Sequence, residues 1–552
     1  MQQSQLDPLP SDLPFRIVSK SIGRGAYASI VKAIPLDAPS PVFAVKLIHK
    51  GYAVKQGRIS AKQIAMEVSL HSHIGRHPNV IEWFATGEDQ VWRWIAMEYA
   101  EGGDLFDKIE ADKGVTEDIA HIYFLQLISG VNFVHSKGIA HRDLKPENIL
   151  MSGNGDLKLA DFGMATMFSY KGQKKLSGTM CGSPPYIAPE VLACGRAAAR
   201  KSEDIVKYAP ELVDIWSCGV ILFVLLVGNT PWDEPTSQSW EFQEYKKTNG
   251  RSTDALWERI PADALSLLRG MINVEPKKRF SFAQIRQHPW YTRHNKFLAE
   301  DGQISDPLNV ATKMLENLHI DFSQQPPSSQ RASQPPPDAM DIDSAPALSH
   351  KPSFSQPETP INDVLFDWER PALRSLGMLA ISSTQPISDA SIPASTTQSA
   401  HFFEALAEEP SMSQFSQTPG AVPPTLTQRA RRFRDIVPAH SFTRFFSHVP
   451  PQLLVQVLAD ALHNLCVPLP AGAPPRVAGD GDRVSTLKVR TVDERKQGLH
   501  GEILVDRYHL PPGAQALLEV RFVKLKGDPL EWRRFFKKVV LLCKDAVYKP
   551  GA

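Results

Sequence analysis

The sequence of 552 residues predicts an α+β protein with two folded ends and a disordered segment between them. Apolar residues alternate as in β-strands from about Phe15, as in FRIVSKSIGRGAYASIVKAI, and then take helical spacing, as in EDIAHIYFLQLISGVNFVHSKG. From about Arg293 to Pro438 the pattern gives way to Pro, Ser, Thr and Gln, which leave too little apolar surface to offset the entropy of ordering. A helix-like stretch and several strand-like stretches follow from His440.

These changes divide the chain into four segments. They are an N-terminal tail (1–14), a first folded domain with a small β-rich lobe before a larger helical lobe (15–291), a disordered linker (292–437) and a small α+β C-terminal domain (438–552). In the C-terminal domain, SFTRFFSHVPPQLLVQVLADALHNL is expected to be helical, and three strands are expected after it. In the last helix, Trp532, Phe536 and Val540 share one face.

Composition limits the kinds of partner. The 61 basic and 60 acidic residues give a formal net charge of +1, so no overall charge favours direct binding of nucleic acid or of a membrane. Five cysteines without CxxC pairing indicate a reducing compartment rather than a disulfide or zinc framework. The N-terminus has no secretory signal pattern, and the longest apolar run (218–228) is too short to span a bilayer, which is typical of a buried helix.

Five short motifs follow one another in the first domain. GRGAYASI (23–30) lies between strand-like stretches, where a glycine turn suits phosphate contacts but fits an ordinary hairpin equally well. FAVK places Lys46 on an apolar strand, and Glu67 lies in a helix-like stretch from which it can pair with Lys46. The others are HRDLKPEN (141–148), DFG (161–163) and APE (188–190).

Each motif alone has a structural explanation, but the five in this order and spacing resemble the eukaryotic protein kinase signature. The resemblance implies a bilobal protein kinase fold with an N-lobe at 15–97, a hinge at 98–103 and a C-lobe at 104–291. It also implies an enzyme that uses ATP and Mg²⁺ to phosphorylate protein substrates. The DLKPEN context is typical of serine/threonine rather than tyrosine specificity.

The resemblance assigns roles to individual residues, and phosphoryl transfer needs mainly positioning and charge neutralisation from them. The expected catalytic residues are Asp143, Lys145, Asn148, Asp161, Lys46 and Glu67. Asp143 is expected to orient the substrate hydroxyl, and Lys145 to offset the charge of the phosphoryl group. Asn148 and Asp161 are expected to hold Mg²⁺, while Glu67 fixes Lys46 against the ATP phosphates. Glu190 and Arg279 match the family's structural ion pair, so they are expected to support stability rather than chemistry.

The resemblance also places ATP between the two lobes. The expected contacts are Ile22, Gly23, Arg24, Gly25, Ala26, Tyr27, Ala28, Ile30, Ala44, Lys46, Met97, Glu98, Ala100, Asp104, Glu147, Asn148, Leu150 and Asp161. Met97 matches the gatekeeper, and the backbone of Glu98 and Ala100 is expected to face adenine. Ala28 stands where the family's loop has its third glycine, which is expected to reduce nucleotide affinity at most, because the charged catalytic positions are intact.

Three residues are expected to contact the protein substrate: Asp104, Glu147 and Ser183. Asp104 matches an acidic residue that binds ribose and, in basophilic kinases, an arginine three residues before the target hydroxyl. Glu147 is expected to add to this acidic groove. The alternative is that both carboxylates are simply solvated, because acidic surface residues are common.

Two further regions are similar to the checkpoint kinase one family of DNA-damage effector kinases. The activation segment, DFGMATMFSYKGQKKLSGTMCGSPPYIAPEVL, resembles that of family members active without phosphorylation there. Arg142 then needs no phosphate partner, although Ser177 and Thr179 remain candidate sites. FTRFF (442–446) and LLEVRFVKLKGDPLEWRRFFKKV (517–539) resemble the two motifs of the family's kinase-associated (KA1-like) regulatory domain. We expect a protein that is found in the nucleus and the cytoplasm, and mainly in the nucleus.

The linker has an unusual dipeptide content. Nine of the ten Gln within residues 323–428 directly follow Ser or Thr, whereas random order gives about two. Ser/Thr-Gln is the sequence that ATM- and ATR-type sensor kinases phosphorylate, and each phosphate adds about −1.5 to −2 charges. Ser355 and Thr384 most resemble the family's activating sites, whereas Ser413 and Ser416 fit better as incidental sites.

These features predict a regulated kinase whose C-terminal domain packs against the kinase domain and restrains it until the linker is phosphorylated. The last helix has a basic face that consists of Arg533, Arg534, Lys537 and Lys538. An acidic surface of the kinase domain and the new phosphates of the linker are expected to compete for this face. Three alternatives remain: a merely solubilising helix face, a domain that binds anionic lipid, or a catalytically inactive scaffold. RARRFR (429–434) fits a nuclear import signal or part of the first regulatory motif equally well.

Overall fold

A computed structural model of the chain describes residues 9–10, 12–19, 22–24, 28–55, 60–199, 206–251, 254–323, 410–415, 433, 437, 441–469, 483–493, 497–508 and 517–549. The predicted phosphorylation sites Ser355 and Thr384 lie outside these residues, as do residues 25–27 of the glycine turn. Residues 324–409 and 416–432 of the predicted linker also lie outside them, so the expected disorder there stays a prediction.

The N-lobe is an antiparallel sheet with two helices. Its strands are β1 (Phe15–Ile17), β2 (Gly23–Arg24), β3 (Ala28–Pro35), β4 (Phe43–His49), β5 (Trp83–Glu88) and β6 (Trp92–Met97), in the order β1–β3–β4–β6–β5 with β2 paired to β3. The helices are α1 (Lys50–Lys55) and α2 (Ala61–Ile74). A capping box starts α2, because Gln63 N donates to the Ser60 hydroxyl at 3.2 Å and Ser60 N donates to the Gln63 side chain at 2.8 Å. The cap fixes the start of the helix that carries Glu67.

The C-lobe is mainly helical. Its helices are α3 (Glu117–Ser136), α4 (Pro189–Ala199), α5 (Pro210–Val227), α6 (Trp240–Thr248), α7 (Ala255–Glu258), α8 (Ala262–Met271), α9 (Phe282–Gln287), α10 (Pro289–Thr292) and α11 (Pro307–Glu316), with 3₁₀ turns at Phe106–Lys108, Pro146–Asn148 and Pro276–Lys278. The short strands are β7 (Gly103–Asp104), β8 (Ile139–Ala140), β9 (Ile149–Met151), β10 (Leu157–Leu159), β11 (Thr166–Met167), β12 (Ser169–Tyr170) and β13 (Gln173–Lys174). The apolar run 218–228 falls mostly in α5, a helix long and apolar enough to cross a membrane but packed inside this lobe.

Residues that follow the predicted kinase domain (15–291) pack on the C-lobe. The linker is predicted to begin at residue 292, but Asn295, Phe297 and Val310 are buried in the C-lobe. The Asn295 side chain donates to Asp118 O at 2.8 Å, and α11 packs on α3. Part of the segment that the sequence assigns to the linker is therefore folded, and its few apolar residues are too widely spaced to give a periodic signal although they pack on the lobe.

The C-terminal domain is a four-stranded antiparallel sheet with two helices. Its strands are β14 (Arg444–Ser447), β15 (Arg483–Val492), β16 (Gly498–Tyr508) and β17 (Leu517–Lys526), in the order β14–β17–β16–β15, and its helices are α12 (Pro451–Asn464) and α13 (Pro529–Leu542). The expected helix at 441–465 is correct only from Pro451. Residues 444–447 pair with β17 instead, since two adjacent aromatic residues suit a strand buried on both faces and Pro451 suits the first turn of a helix.

Helix α13 buries the face that the sequence predicts. Trp532, Phe536 and Val540 are buried against the sheet. A Cβ atom on Gly501 would lie 2.2 Å from the Trp532 ring, so a glycine at this position of β16 lets the indole approach the sheet. Together the two lobes and this domain give the predicted fold class, a bilobal kinase followed by a small α+β domain.

The ion pair predicted between Glu190 and Arg279 ties α4 to the segment before α9. Arg279 Nη1 and Nη2 lie 2.5 and 2.7 Å from Oε1 and Oε2 of Glu190, and the Arg279 side chain has no solvent exposure. Arg279 also donates to Leu212 O at 2.9 Å and stacks on Trp216. Removing one partner of such a pair leaves the other charge buried, which makes it a strong structural tie.

We expect Arg279→Ala to lower the free energy of unfolding of the C-lobe by about 3–5 kcal/mol, because Glu190 loses its partner. Lys278→Ala is the matched control, since its 2.7 Å pair with Glu275 is exposed and such pairs contribute about 0–1 kcal/mol. Urea denaturation of the full chain, followed by tryptophan fluorescence, measures both losses. Equal losses in the two variants would contradict the structural role of the buried pair.

Candidate active site

The residues expected to anchor the nucleotide phosphates meet in the cleft. Lys46 is buried in the middle of β4, between β3 and β6. Its Nζ lies 2.5 Å from Oε1 of Glu67 on α2 and 3.1 Å from Oδ1 of Asp161. Enclosure in the cleft would raise the pKa of Asp161, but the charge of Lys46 and its hydrogen bond outweigh this and lower the pKa below its usual range. Three motifs distant in sequence therefore converge on one ammonium group.

The HRD loop brings the expected base and its neighbours together. Lys145 Nζ lies 2.8 Å from Asp143 Oδ2, and the Ser183 hydroxyl donates to Asp143 Oδ1 at 3.1 Å. Burial would lower the pKa of Lys145, but the charge of Asp143 raises it above its usual range. Lys145 is thus a fixed cation beside the carboxylate, as the sequence predicts for a group that offsets phosphoryl charge.

The backbone of this loop is held by Asp214, a residue that the sequence interpretation missed. Asp214 lies on α5 without solvent exposure, and its carboxylate accepts hydrogen bonds from His141 N at 2.8 Å, Arg142 N at 2.7 Å and His135 Nε2 at 2.7 Å. Arg142 has a φ of 65°, a left-handed conformation that needs such support in a residue other than glycine. The available signal was an acidic residue inside the most apolar helix, because a buried carboxylate requires partners.

The expected metal ligands fit a hard divalent cation. Asn148 uses its amide nitrogen to donate to Asp143 O at 2.8 Å, which leaves the amide oxygen available to a metal ion. The side chain of Asp161 is 45% exposed to the cleft. Carboxylate and amide oxygens are the ligands that hard divalent cations prefer. Among the described residues no group of three or more His, Cys, Asp or Glu offers another metal site.

Apolar residues surround the expected adenine site. They are Met97, Ala100 and Leu150, together with Ile81 and Ala160. Ala44 pairs with Met97 across β4 and β6, and Gly23 pairs with Ile30 in the β2–β3 hairpin. Ile22 precedes this hairpin with an exposed side chain. Gly25, Ala26 and Tyr27 lie outside the described residues, so the effect of Ala28 on nucleotide affinity stays a prediction.

Arg142 has a protein partner in the activation segment. Its Nε donates to Met164 O at 2.8 Å, and its Nη1 donates to the Ser177 hydroxyl at 2.8 Å. Ser177 and Thr179 are both buried. A neutral hydroxyl in contact with the guanidinium is consistent with an activation segment that needs no phosphate there.

His71, which the sequence interpretation also missed, connects α2 to the two catalytic motifs. Its ring lies 4.9 Å from the ring of Phe162 in DFG, which lies 5.1 Å from that of His141 in HRD. His71 Nε2 donates to Ile81 O at 2.8 Å. Burial lowers the pKa of His71 to about 4, so the ring is neutral at physiological pH. One buried stack thus holds α2 and both loops in register.

We expect this stack to weaken in acid. The pKa of His71 is about 4 in the folded protein and 6.5 for a free side chain, so the unfolded chain binds the proton more tightly. Stability contributed by neutral His71 is therefore lost as the pH falls from 6.5 towards 4, by up to about 3 kcal/mol. Melting temperatures at pH 7, 6 and 5 should accordingly fall more steeply for the natural protein than for His71→Leu.

The control for this comparison is His463→Gln, because His463 is exposed on α12. This variant should keep the pH dependence of the natural protein. The assignment to His71 is wrong if His71→Leu follows the same pH curve as the natural protein.

The expected substrate groove faces a lysine of the C-terminal domain. Burial would lower the pKa of Lys524 at the end of β17, but the charges of Glu147, Asp104 and Asp107 raise it above its usual range. Asp104 also accepts a hydrogen bond from Phe106 N at 2.8 Å, and burial raises the pKa of Asp104 with help from Asp107. The charges of the two predicted carboxylates therefore favour the charged form of a basic side chain of the C-terminal domain.

Three basic residues of α13 contact a second acidic pair beside this groove. Arg533 Nη2 lies 3.0 Å and Lys537 Nζ 2.9 Å from the two carboxylate oxygens of Glu110, which has no solvent exposure. Arg534 donates to Asp112 through Nε at 2.9 Å and Nη2 at 2.6 Å. Burial would raise the pKa of Glu110, but Arg533 and Lys537 outweigh it and lower the pKa. The sequence predicted the basic face but not these acidic partners.

Apolar contacts accompany the ion pairs. Phe442, Phe433 and Leu530 pack into the core of the C-lobe. The Lys108 ammonium lies 4.7 Å from the centre of the Phe442 ring, and burial lowers the pKa of Lys108 to about 8. A Cβ atom on Gly155 would lie 2.5 Å from the Phe433 ring. Because Phe433 belongs to RARRFR, its burial favours the interpretation of that stretch as part of the first motif of the C-terminal domain.

Comparison with known proteins identifies the family. A family model described as "Protein kinase domain" matches residues 16–291. Serine/threonine-protein kinase chk1 of Schizosaccharomyces pombe is 36% identical over 96% of this chain and 96% of its own, and Serine/threonine-protein kinase CHK1 of Saccharomyces cerevisiae is 32% identical over 100% of both. Serine/threonine-protein kinase grp of Drosophila melanogaster is 35% identical over 50% of both chains. The chain therefore belongs to the Chk1 family of checkpoint serine/threonine protein kinases, enzymes that use ATP with a divalent metal.

Proposed function

We propose that this kinase is a DNA-damage and replication checkpoint effector that uses Mg²⁺ and ATP to phosphorylate serine or threonine three residues after an arginine. Its C-terminal domain restrains it, and ATM- or ATR-type kinases relieve the restraint by phosphorylating Ser/Thr-Gln sites in the linker. We expect the protein to be mainly nuclear. The observation that carries the proposal is the contact of α13 with the kinase domain, where Arg533 and Lys537 pair with Glu110 and the helix packs on the 3₁₀ turn Phe106–Lys108, close in the chain to Asp104.

The catalytic residues support phosphoryl transfer through positioning. Asp143, in contact with Lys145 and Ser183, accepts the proton of the substrate hydroxyl. Lys145 offsets the charge of the transferred group, and Asn148 and Asp161 hold Mg²⁺. When bound, the metal neutralises phosphate charge, the kind of electrostatic stabilisation on which this chemistry depends.

Restraint follows from competition for the same acidic groove. A substrate arginine and Lys524 are both attracted by Asp104 and Glu147, so a docked C-terminal domain lowers the affinity for basic substrates. The docked state depends on buried charge pairs such as Arg533 with Glu110, which are favourable only while both partners are in place. Linker phosphates offer alternative partners to the basic residues of α13 and thereby favour release.

Glu147→Gln tests the proposed specificity. We expect the ratio of kcat/KM for a peptide with Arg at −3 to that for the same peptide with Ala at −3 to fall about tenfold, because a charge-assisted hydrogen bond is lost. The ratio cancels any release of the C-terminal domain, which affects both peptides. Glu300→Gln makes the same charge change at an exposed position and should leave the ratio unchanged. An unchanged ratio in Glu147→Gln would exclude Glu147 from arginine recognition.

Glu110→Ala and Arg533→Ala test the restraint in the full chain. Glu110→Ala removes the carboxylate that both Arg533 and Lys537 contact and leaves the buried guanidinium of Arg533 without a charged partner, which weakens docking by about 3–5 kcal/mol. Arg533→Ala leaves Glu110 paired with Lys537 alone and weakens docking less, so both variants should raise the rate of peptide phosphorylation, Glu110→Ala by the larger factor. The double variant should be no more active than the faster single variant, since both remove one contact. Lys544→Ala removes an exposed charge of the same domain and should have no effect, and Asp143→Asn provides the inactive baseline.

Restraint by the C-terminal domain is wrong if neither Glu110→Ala nor Arg533→Ala is faster than the natural protein. Point variants are preferable to a kinase that ends near Asn295. Such a truncation removes Phe297 and Val310 from the core of the C-lobe, so a slow enzyme would reflect lost stability.

A further inference from the structure

Tyr208, two residues before α5, is joined to the activation segment through both its backbone and its side chain. Tyr208 N donates to Ser177 O at 2.9 Å, and Ser177 N donates to Tyr208 O at 2.8 Å, which forms a short antiparallel bridge. The Tyr208 hydroxyl donates to Thr179 O at 2.5 Å, and Cys181 Sγ lies 3.5 Å from the same hydroxyl oxygen. Tyr208 thus contacts three alternate residues of one extended segment.

The hydroxyl of Tyr208 makes its contact inside the protein. Tyr208 is only 3% exposed, and Thr179 is buried as well. Burial raises the pKa of Tyr208, so the hydroxyl stays protonated at physiological pH and acts as a donor. Without this donor a buried carbonyl oxygen would lose its hydrogen bond, which is unfavourable. The hydroxyl therefore favours one position of the segment over others.

The segment that Tyr208 holds leads directly to the expected base. The Ser183 hydroxyl donates to Asp143 Oδ1 at 3.1 Å. Gly182, just before it, has a φ of 107°, a turn that only glycine makes without strain. Beyond Ser183, the hydroxyl of Ser217 on α5 donates to Tyr186 O at 2.8 Å. Residues 179–186 are therefore held at both ends by the start of α5 and contact Asp143 in between.

Two explanations of Tyr208 differ in the part of the side chain that matters. If Tyr208 only fills the core, its aromatic ring is sufficient, and phenylalanine can supply the same ring. If Tyr208 holds the activation segment for catalysis, its hydroxyl is required. The hydrogen bond to Thr179 O favours the second explanation, because the backbone of the activation segment accepts it.

We propose that Tyr208 is a positioning residue for phosphoryl transfer to protein substrates. Its hydroxyl holds the activation segment so that Ser183 stays against Asp143, the carboxylate to which a substrate must bring its acceptor hydroxyl. Lys46, the expected anchor of the ATP phosphates, is fixed separately in the N-lobe by Glu67. Loss of the Tyr208 hydroxyl should therefore impair the use of a protein substrate and leave ATP binding intact. The inference concerns the kinase reaction itself and does not depend on restraint by the C-terminal domain.

Tyr208→Phe in the full chain removes the hydroxyl and keeps the ring. We expect kcat/KM for a peptide substrate to fall about fivefold, the factor that corresponds to one hydrogen bond, while KM for ATP stays unchanged. Tyr245→Phe is the matched control, because Tyr245 is also 3% exposed and its hydroxyl donates to Ile272 O at 3.0 Å elsewhere in the C-lobe. Both variants should lower the melting temperature by about 2–4 °C, but only Tyr208→Phe should lower kcat/KM.

Two further measurements test whether Tyr208 acts through the activation segment. In a chain that already carries Ser183→Ala, Tyr208→Phe should lower kcat/KM by less than about twofold, because both changes disturb the same contact. Hydrogen exchange, followed by mass spectrometry, should become faster in peptides that contain the amide of Ser177, which donates to Tyr208 O. Exchange in the same peptides should be unchanged in Tyr245→Phe.

The proposal is wrong if Tyr208→Phe melts at a lower temperature but keeps the kcat/KM of the natural protein, since the hydroxyl then serves stability alone. Equal losses of kcat/KM in Tyr208→Phe and Tyr245→Phe overturn it too, because they report a general weakening of the C-lobe. A raised KM for ATP contradicts the separation of the two substrates. A full fivefold effect of Tyr208→Phe in the Ser183→Ala chain contradicts the route through Ser183.

Discussion

The carboxylate of Asp214 is the constraint on which the active site depends. It is enclosed in the C-lobe and receives the backbone N–H groups of His141 and Arg142, which fixes a loop whose left-handed residue would otherwise relax. Asp143 is the next residue of that loop. The hydrogen bond from Arg142 N to Asp214 therefore also fixes the position of Asp143 relative to Lys145. The apolar residues of α5 serve the active site for this reason, because they form a rigid helix that keeps the side chain of Asp214 away from water.

The contact between the two folded ends follows a different physical rule. Buried ion pairs such as Arg533 with Glu110 add little net stability, because desolvation offsets most of the attraction. Removing one partner is nevertheless strongly destabilising, because the other charge then stays buried without compensation. By this rule the charges favour one matched arrangement of the two ends over others but add little to the strength of the contact. The burial of Phe442 and Leu530 in the C-lobe favours association independently of charge. The charged residues favour the docked position only where each of them meets a partner of opposite charge.

Sequence patterns predicted the candidate catalytic residues because those residues lie in short motifs whose spacing is local. Lys46, Asp143, Asn148 and Asp161 all belong to such motifs, and the structure brings them to one cleft. Asp214 was missed because its role is a contact with a loop more than seventy residues earlier, and no local pattern records such a contact.

The same limit applies to the folded ends and the connection between them. The bilobal fold and the buried face of α13 follow from periodicity, which reports burial within one element. The tail after residue 292, strand β14 and the acidic partner Glu110 depend on pairing between distant segments. The tail after residue 292 has too few apolar residues to predict a folded segment, and the apolar pattern around β14 is ambiguous. Glu110 is one of several acidic residues, and nothing in the sequence predicts that it is buried.

The hydrogen bond from Ile320 N to Gln414 O brings the two borders of a long excursion of the chain into contact. For a flexible excursion with joined ends, the entropy of closure grows only with the logarithm of length, by about 0.6 kcal/mol for each doubling. If the linker is disordered, as its sequence predicts, insertions and deletions between those borders should change the stability of the fold very little. Ser/Thr-Gln dipeptides can then be added, removed or reordered there, while the borders stay fixed by the domains that they join.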